Sequence, residues 1–190
     1  MREDEVDVKI YTDGSGVNNK IGASAIIYRD GRPGTALKHQ LGSVHHTVYE
    51  GEAVGVLLAL HITRGNRAIR SVNIYIDNRA AITAATGIKP HPGHYIFDAI
   101  HKTIDSITNE RNHMHPKISW IPGHSKVEGN EKADALANEA PPRMALSQAA
   151  SRNSSKPRFP FSKSAAKQNY LARIKKRVQR DWKDRGGTIE

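Results

Sequence analysis

The chain has 190 residues and no cysteine. Disulfide scaffolds, thiolate metal centres and cysteine nucleophiles are therefore excluded, and a reducing intracellular compartment fits. Long apolar runs are also missing: nothing approaches the roughly 20 residues needed to cross a bilayer. The opening MREDEVDVKI is acidic and lacks the basic-then-apolar layout of a secretory signal, so no membrane partner is expected. Hydrophobic residues make up only 37%, enough for one core but lean for this length, so part of the chain is expected to lie outside it.

Charge is absent on balance from the first three-quarters of the sequence. Residues 1–140 hold 16 Lys+Arg and 16 Asp+Glu, whereas residues 141–190 hold 13 basic and 3 acidic residues, the whole of the net +10. Such a block commonly meets a polyanion, nucleic acid above all; a solubilising extension is the bland alternative.

Val6, Val8 and Ile10 alternate with polar partners through Tyr11, the period-2 signature of a strand. Asp13-Gly14-Ser15-Gly16-Val17-Asn18-Asn19 then reads as a turn, Ile21 to Tyr28 as a second strand, and Thr35 to Leu41, after the turn-rich Asp30-Gly31-Arg32-Pro33-Gly34, as a third. From Thr47 to Arg64 the period becomes helical, with Val48, Val54, Leu57, Leu58 and Ile62 on one face. Gly51 and Gly55 inside it each cost about 1 kcal/mol against Ala, and their four-residue spacing predicts close packing on the sheet. A strand over Ser71 to Ile76, a short helix from Asn78, a helix over Tyr95 to Arg111, a strand over Lys117 to Ile121 and a helix over Asn130 to Glu139 follow. The order predicts an α/β domain over residues 1–140, with a mixed five-stranded sheet flanked by helices.

Residues 141–163 shift to Pro, Ser, Ala and basic residues and read as a linker. Ser164 then caps a basic amphipathic helix to residue 185. Its narrow stripe, Leu171, Ile174, Val178 and Trp182, is expected to dock on the domain with Arg173, Lys176, Arg177 and Arg180 outward on nucleic acid.

Four carboxylates fall where such a sheet gathers side chains. Asp13 is placed at the end of the first strand, Asp77 at the end of the fourth, Glu52 early in the first long helix, and Asp134 in the helix after the fifth strand. Each alone has an ordinary reading, as turn residue, cap or solvated helix position. Clustered, they repel unless a cation holds them, and hard oxygen donors suit Mg²⁺ or Mn²⁺. The paired histidines His45-His46, His91/His94 and His113/His115 lack consistent zinc-ligand spacing and read as surface residues.

Four ordered motifs resemble those of type 1 ribonuclease H domains. Tyr11-Thr12-Asp13-Gly14-Ser15 is similar to the opening T-D-G-S signature, and Glu50-Gly51-Glu52-Ala53-Val54-Gly55 to the E-L-x-A helix, with Glu52 at the catalytic place. Tyr75-Ile76-Asp77-Asn78-Arg79 resembles the T-D-S strand end. Trp120-Ile121-Pro122-Gly123-His124-Ser125, continued to Asp134 through Glu128-Gly129-Asn130-Glu131-Lys132-Ala133, resembles the closing G-H…N-E-x-A-D. The departures are Gly51, Ala53 and Asn78, where Ala, Leu and Ser are usual. The wording, including Tyr28-Arg29-Asp30-Gly31 and His46-Thr47-Val48-Tyr49-Glu50, is nearest the domain in reverse transcriptase polyproteins of non-LTR retrotransposons.

The resemblance implies a ribonuclease H-like fold and endonucleolytic cleavage of the RNA strand of RNA–DNA hybrids. It implies that Asp13, Glu52, Asp77 and Asp134 hold two Mg²⁺ ions, Mn²⁺ substituting, with His124 assisting proton transfer or product release. Gly14, Ser15, Asn19, Thr47, Asn78 and Arg79 occupy positions suited to the hybrid. A monomer is expected, free or as part of a reverse transcriptase polyprotein. The rivals are a non-catalytic hybrid-binding module on the same fold and a DNA transposase of related fold, which lacks the G-H…A-D ending.

Overall fold

A computed structural model describes residues 6–17, 20–42, 46–86, 93–111, 114–123, 126–139 and 163–184. Asn19, His124 and the linker expected at 141–163, save Lys163, lie outside them. Strands β1 (Val8–Val17), β2 (Lys20–Arg29) and β3 (Arg32–Gly42) form an antiparallel meander. Helix α1 (Val48–Gly65), β4 (Val72–Ile76), α2 (Arg79–Thr86), α3 (His94–Glu110), β5 (Lys117–Trp120), α4 (Glu128–Asn138) and α5 (Lys163–Asp184) follow. The sheet order is β3-β2-β1-β4-β5, with β4 parallel to both β1 and β5, which is the expected mixed five-stranded architecture.

Two boundaries differ from the sequence reading by more than two residues, each for a physical reason. Asp13 does not end β1; the strand runs on to Val17, pairing Asp13 with Ser24, Gly14 with Ala23 and Gly16 with Ile21. The glycines that read as a turn are instead places where α1 crosses the strand. An added Cβ on Gly14 would lie 2.2 Å from the Glu52 amide nitrogen, and one on Gly16 would lie 2.7 Å from a Val48 methyl. The β2–β3 connection is also tighter than expected. Asp30 (φ 50°) and Gly31 (φ 71°) alone make the turn, both left-handed, as a two-residue hairpin requires. β3 therefore begins at Arg32, and Pro33 is tolerated because β3 is an edge strand.

Alternation divides the core. Val8, Ile10, Ile21, Ala23 and Ala25 pack with Val54, Leu57 and Leu58 of α1 and Ile96 and Ile100 of α3. On the other face Ile26 and Tyr28 meet Ala133 of α4, with Tyr11 and Leu136 against them. There the Tyr11 ring stacks on Tyr75 (centroids 5.1 Å apart, planes at 18°) and stands edge-on to Tyr28. The predicted use of Gly51 and Gly55 holds: a Cβ on either would lie 3.0–3.1 Å from the carbonyl oxygens of Gly22 and Ser24 respectively.

Helix α5 begins at Lys163, so Ser164 lies inside it and is not its cap, and the two described residues of its apolar stripe are not docked. Leu171 and Ile174 are 52% and 41% exposed. The stripe is too narrow and the helix too basic to repay desolvation of its surroundings. Among the described residues no helix is long and apolar enough to cross a membrane.

Candidate active site

Strands β1 and β4 are hydrogen-bonded neighbours running the same way, with Tyr11 opposite Tyr75. Two residues further on, each delivers an aspartate to the same end of the sheet: Asp13 and Asp77. The Thr12 hydroxyl donates to the Tyr75 carbonyl at 3.2 Å and fixes that alignment.

Glu52 arrives from α1, whose first turn is locked by Thr47 and Glu50. Thr47 is the N-cap, its hydroxyl accepting from the Glu50 amide at 3.3 Å, while the Glu50 carboxylate accepts from the Thr47 amide at 2.8 Å. This reciprocal capping box satisfies two of the donors that a helix start leaves unpaired. Glu50 is fully buried and also accepts from the Tyr95 hydroxyl at 3.1 Å, tying α1 to α3. Glu50 thus serves the fold, and Glu52 faces the aspartates.

One carboxylate oxygen each from Asp13, Glu52 and Asp77 lies within 4.8 Å of the other two. Asp13 and Glu52 are buried, and Glu52 Oε2 has no hydrogen-bond partner. Burial, then the charges of Asp77 and Asp134, pushes the Asp13 carboxyl up to about 7. Burial, then Asp13 and Asp77, pushes Glu52 up to about 9. The Gly14 amide, turned toward both, offsets a little of this. Two buried acids and a half-buried third, close together and with one oxygen orphaned, form a ligand set that suits a divalent cation.

Asp134 lies outside that tight group but near enough to couple to Asp13. Its own oxygen accepts from the Asn138 amide at 3.0 Å, and Asn138 in turn accepts from the Ser15 hydroxyl. Asn138 was not singled out in the sequence, although its place four residues after Asp134, on the same helix face, was a signal. Ser15 is thus tied to α4, and the Asn78 side chain caps α2 by accepting from the Ala80 and Ala81 amides. Arg79 is exposed, its guanidinium 3.8 Å above the Trp120 ring. Arg173, Lys176, Arg177 and Arg180 are exposed on α5.

The mixed sheet thus brings Asp13 of β1 and Asp77, just past β4, together with a glutamate of α1 in one acidic pocket. The RNase H family profile matches residues 5–141, nearly three-quarters of the sequence, so the chain belongs to the RNase H family and is a ribonuclease H by class. No curated protein matches it by sequence. Solved structures share its fold. RNase H1 of the halophilic archaeon Halobacterium salinarum is 20% identical with a TM-score of 0.55, over 70% of this chain and 96% of that one. LC11-RNase H1 in complex with an RNA/DNA hybrid is 22% identical with a TM-score of 0.54, over 70% and 95%. The protease–reverse transcriptase of prototype foamy virus is 17% identical with a TM-score of 0.57, over 74% of this chain and 21% of the viral one.

Proposed function

We propose that this ribonuclease H hydrolyses the RNA strand of RNA–DNA hybrids, with Asp13, Glu52, Asp77 and Asp134 holding two Mg²⁺ ions, or Mn²⁺ in their place. The observation that carries this reading is the pocket of three acids with its unpartnered Glu52 oxygen. When bound, such ions lower the pKa of water and stabilise the oxygen that leaves in phosphodiester hydrolysis. The chain's own part is to aim the ligands: the β1–β4 register sets Asp13 against Asp77, and the capping box sets Glu52. His124 would move a proton or assist product release.

Hybrid recognition would rest on the 2′-hydroxyls of the RNA strand, read across the shallow minor groove. Gly14, Ser15, Asn19, Thr47, Asn78 and Arg79 are the proposed contacts. Ser15, Thr47 and Asn78 already spend their side chains on capping and on α4, so they would have to share those bonds with the hybrid, while Arg79 would offer its side chain. The complex formed by LC11-RNase H1 supports the substrate class. The motif wording and the basic segment support a place in a retroelement polyprotein, acting as a monomer inside the cell. The test offers labelled hybrid, duplex DNA and duplex RNA side by side with Mg²⁺. Cleavage of the hybrid alone is expected. Cleavage of duplex DNA, or hybrid binding without cleavage, would overturn the reading in favour of a transposase or a non-catalytic module.

The basic tail, residues 141–190, is assigned hybrid affinity and no part in cleavage. Four of its exposed cations, Arg173, Lys176, Arg177 and Arg180, if each neutralises one phosphate, contribute about three to four units to the slope of log affinity against log salt. A chain ending at Ala140 should bind hybrid more weakly and with a shallower slope, yet still cut it at high enzyme concentration. Since Leu171 and Ile174 are exposed, its thermal melt should stay cooperative. An unchanged affinity and slope in a folded truncation would assign the charge to another partner.

A further inference from the structure

Beside the acid pocket, Trp120 makes two contacts that its role as the last residue of β5 does not require. Its indole N–H donates to the Asp77 carbonyl at 3.0 Å, although the ring is 39% exposed. On its face lies the Arg79 guanidinium, 3.8 Å from the ring centroid. The Ile121 amide donates to the Ile76 carbonyl at 2.9 Å, so the backbone that carries Trp120 is clamped to β4 just before Asp77.

Arg79 is unusual in its own setting. It begins α2, two residues after a pocket acid, where a cation opposes the helix dipole by up to about 1 kcal/mol. It forms no ion pair with a carboxylate among the described residues, although three acids gather nearby. A long side chain left to itself would sample many rotamers. Contact with indole, the strongest of the aromatic cation partners, restrains it without consuming its N–H donors. A planar donor fork fixed in this way matches the oxygens of a phosphate.

We propose that Trp120 is a positioning residue that presents the Arg79 guanidinium to a backbone phosphate of the bound nucleic acid, next to the phosphate at the acid pocket. One indole thereby serves two ends: its N–H anchors the main chain of Asp77, and its face anchors the cation that sets the register of the strand. The inference rests on the proposed nucleic-acid substrate, and it makes Arg79 a phosphate contact held by Trp120, with no direct part for Trp120 in the chemistry.

The test is equilibrium binding of a labelled RNA–DNA hybrid by the full chain, in Ca²⁺ to suppress turnover, for Arg79→Ala, Trp120→Ala, Trp120→Phe and the double variant Arg79→Ala/Trp120→Ala. Losing a charge-assisted phosphate contact should weaken binding about 10–100-fold in Arg79→Ala and flatten the salt slope by about one unit. Trp120→Ala should weaken it comparably, the double variant should be no weaker than the weaker single one, and Trp120→Phe, which keeps a π face, should recover most of the loss. Independent, multiplying effects of the two substitutions, or unchanged affinity and slope in Arg79→Ala, would overturn the proposal. Should Trp120→Ala melt below the assay temperature, Arg79→Ala and Trp120→Phe still decide it. Wild-type chain that binds hybrid in Ca²⁺ yet fails to cut it in Mg²⁺ would count against the nuclease reading and leave these comparisons in force; failure to bind hybrid at all would overturn both.

Discussion

Asp77→Asn should remove hybrid cleavage and, in the metal-free protein, raise the melting temperature. The first effect follows from the pocket geometry. Asp77 supplies one of three oxygens within 4.8 Å, and an amide supplies a weaker, uncharged ligand. If metal assistance contributes several kcal/mol, its loss lowers the rate by about 10³-fold or more. The second effect has the opposite sign because the acids repel one another. In the folded, metal-free chain Asp13 and Glu52 are pushed up to about 7 and about 9, both above their ordinary values of 3.8 and 4.5. The folded state therefore holds more protons than the unfolded one between those limits, and its stability falls as pH rises from about 4 to about 9. Neutralising Asp77 removes a charge that contributes to both shifts, so the fall should be shallower in the variant. Divalent cation should reverse the fall in the wild type, and its stabilising effect should grow with pH. Circular dichroism melts from pH 4 to 9, with and without Mg²⁺, read all of this. A variant that cuts hybrid at the wild-type rate would remove Asp77 from the site.

Gly14→Ala should be the most damaging single methyl in the molecule. The added Cβ would lie 2.2 Å from the Glu52 nitrogen, 2.5 Å from the Gly51 carbonyl carbon and 2.8 Å from the Glu52 Cα. These are backbone atoms of a helix that is itself pressed on β2 through Gly51 and Gly55, so neither side yields by a rotamer change. Overpacking typically costs about 1–3 kcal/mol, and a backbone-on-backbone clash belongs at or above the top of that range. Whatever movement relieves it separates Glu52 from Asp13, so activity should fall further than stability does. Gly65→Ala is the matched control: nothing lies within 4 Å of its added Cβ, and a helical Ala in place of Gly is favourable by up to about 1 kcal/mol. Urea melts of the two variants should therefore move in opposite directions. Equal and small shifts would mean that α1 does not seat on β1 as described.

The neighbourhood of two of the acids was legible in the sequence pattern. Asp77 follows an apolar strand and precedes a helix, and Glu52 rides a helix whose glycine spacing announced contact with the sheet. The extent of β1 was not legible, since Asp13-Gly14-Ser15-Gly16 has turn composition and only the crossing helix explains glycine there. Tertiary contact overrode local propensity. The partnership of Trp120 with Arg79 was equally hidden, because it joins residues 41 positions apart through a ring face, a contact without any periodic trace in sequence. The stripe on α5 shows the converse: amphipathic spacing was read correctly as a helix, yet spacing alone does not say that a second surface exists to receive it.

The tyrosine stack on the α4 face ties the pocket to the slowest motion of the molecule. Tyr11 and Tyr75, in contact with each other, each stand two residues before a pocket aspartate, and the Gly129 backbone of α4 is seated directly on the Tyr11 ring. Neither aspartate can leave its place without parting these rings and lifting α4. Transient opening of the pocket floor should then cost nearly as much as unfolding the whole domain, so the amides of Tyr11 and Tyr75 should be among the slowest of the domain to exchange hydrogen.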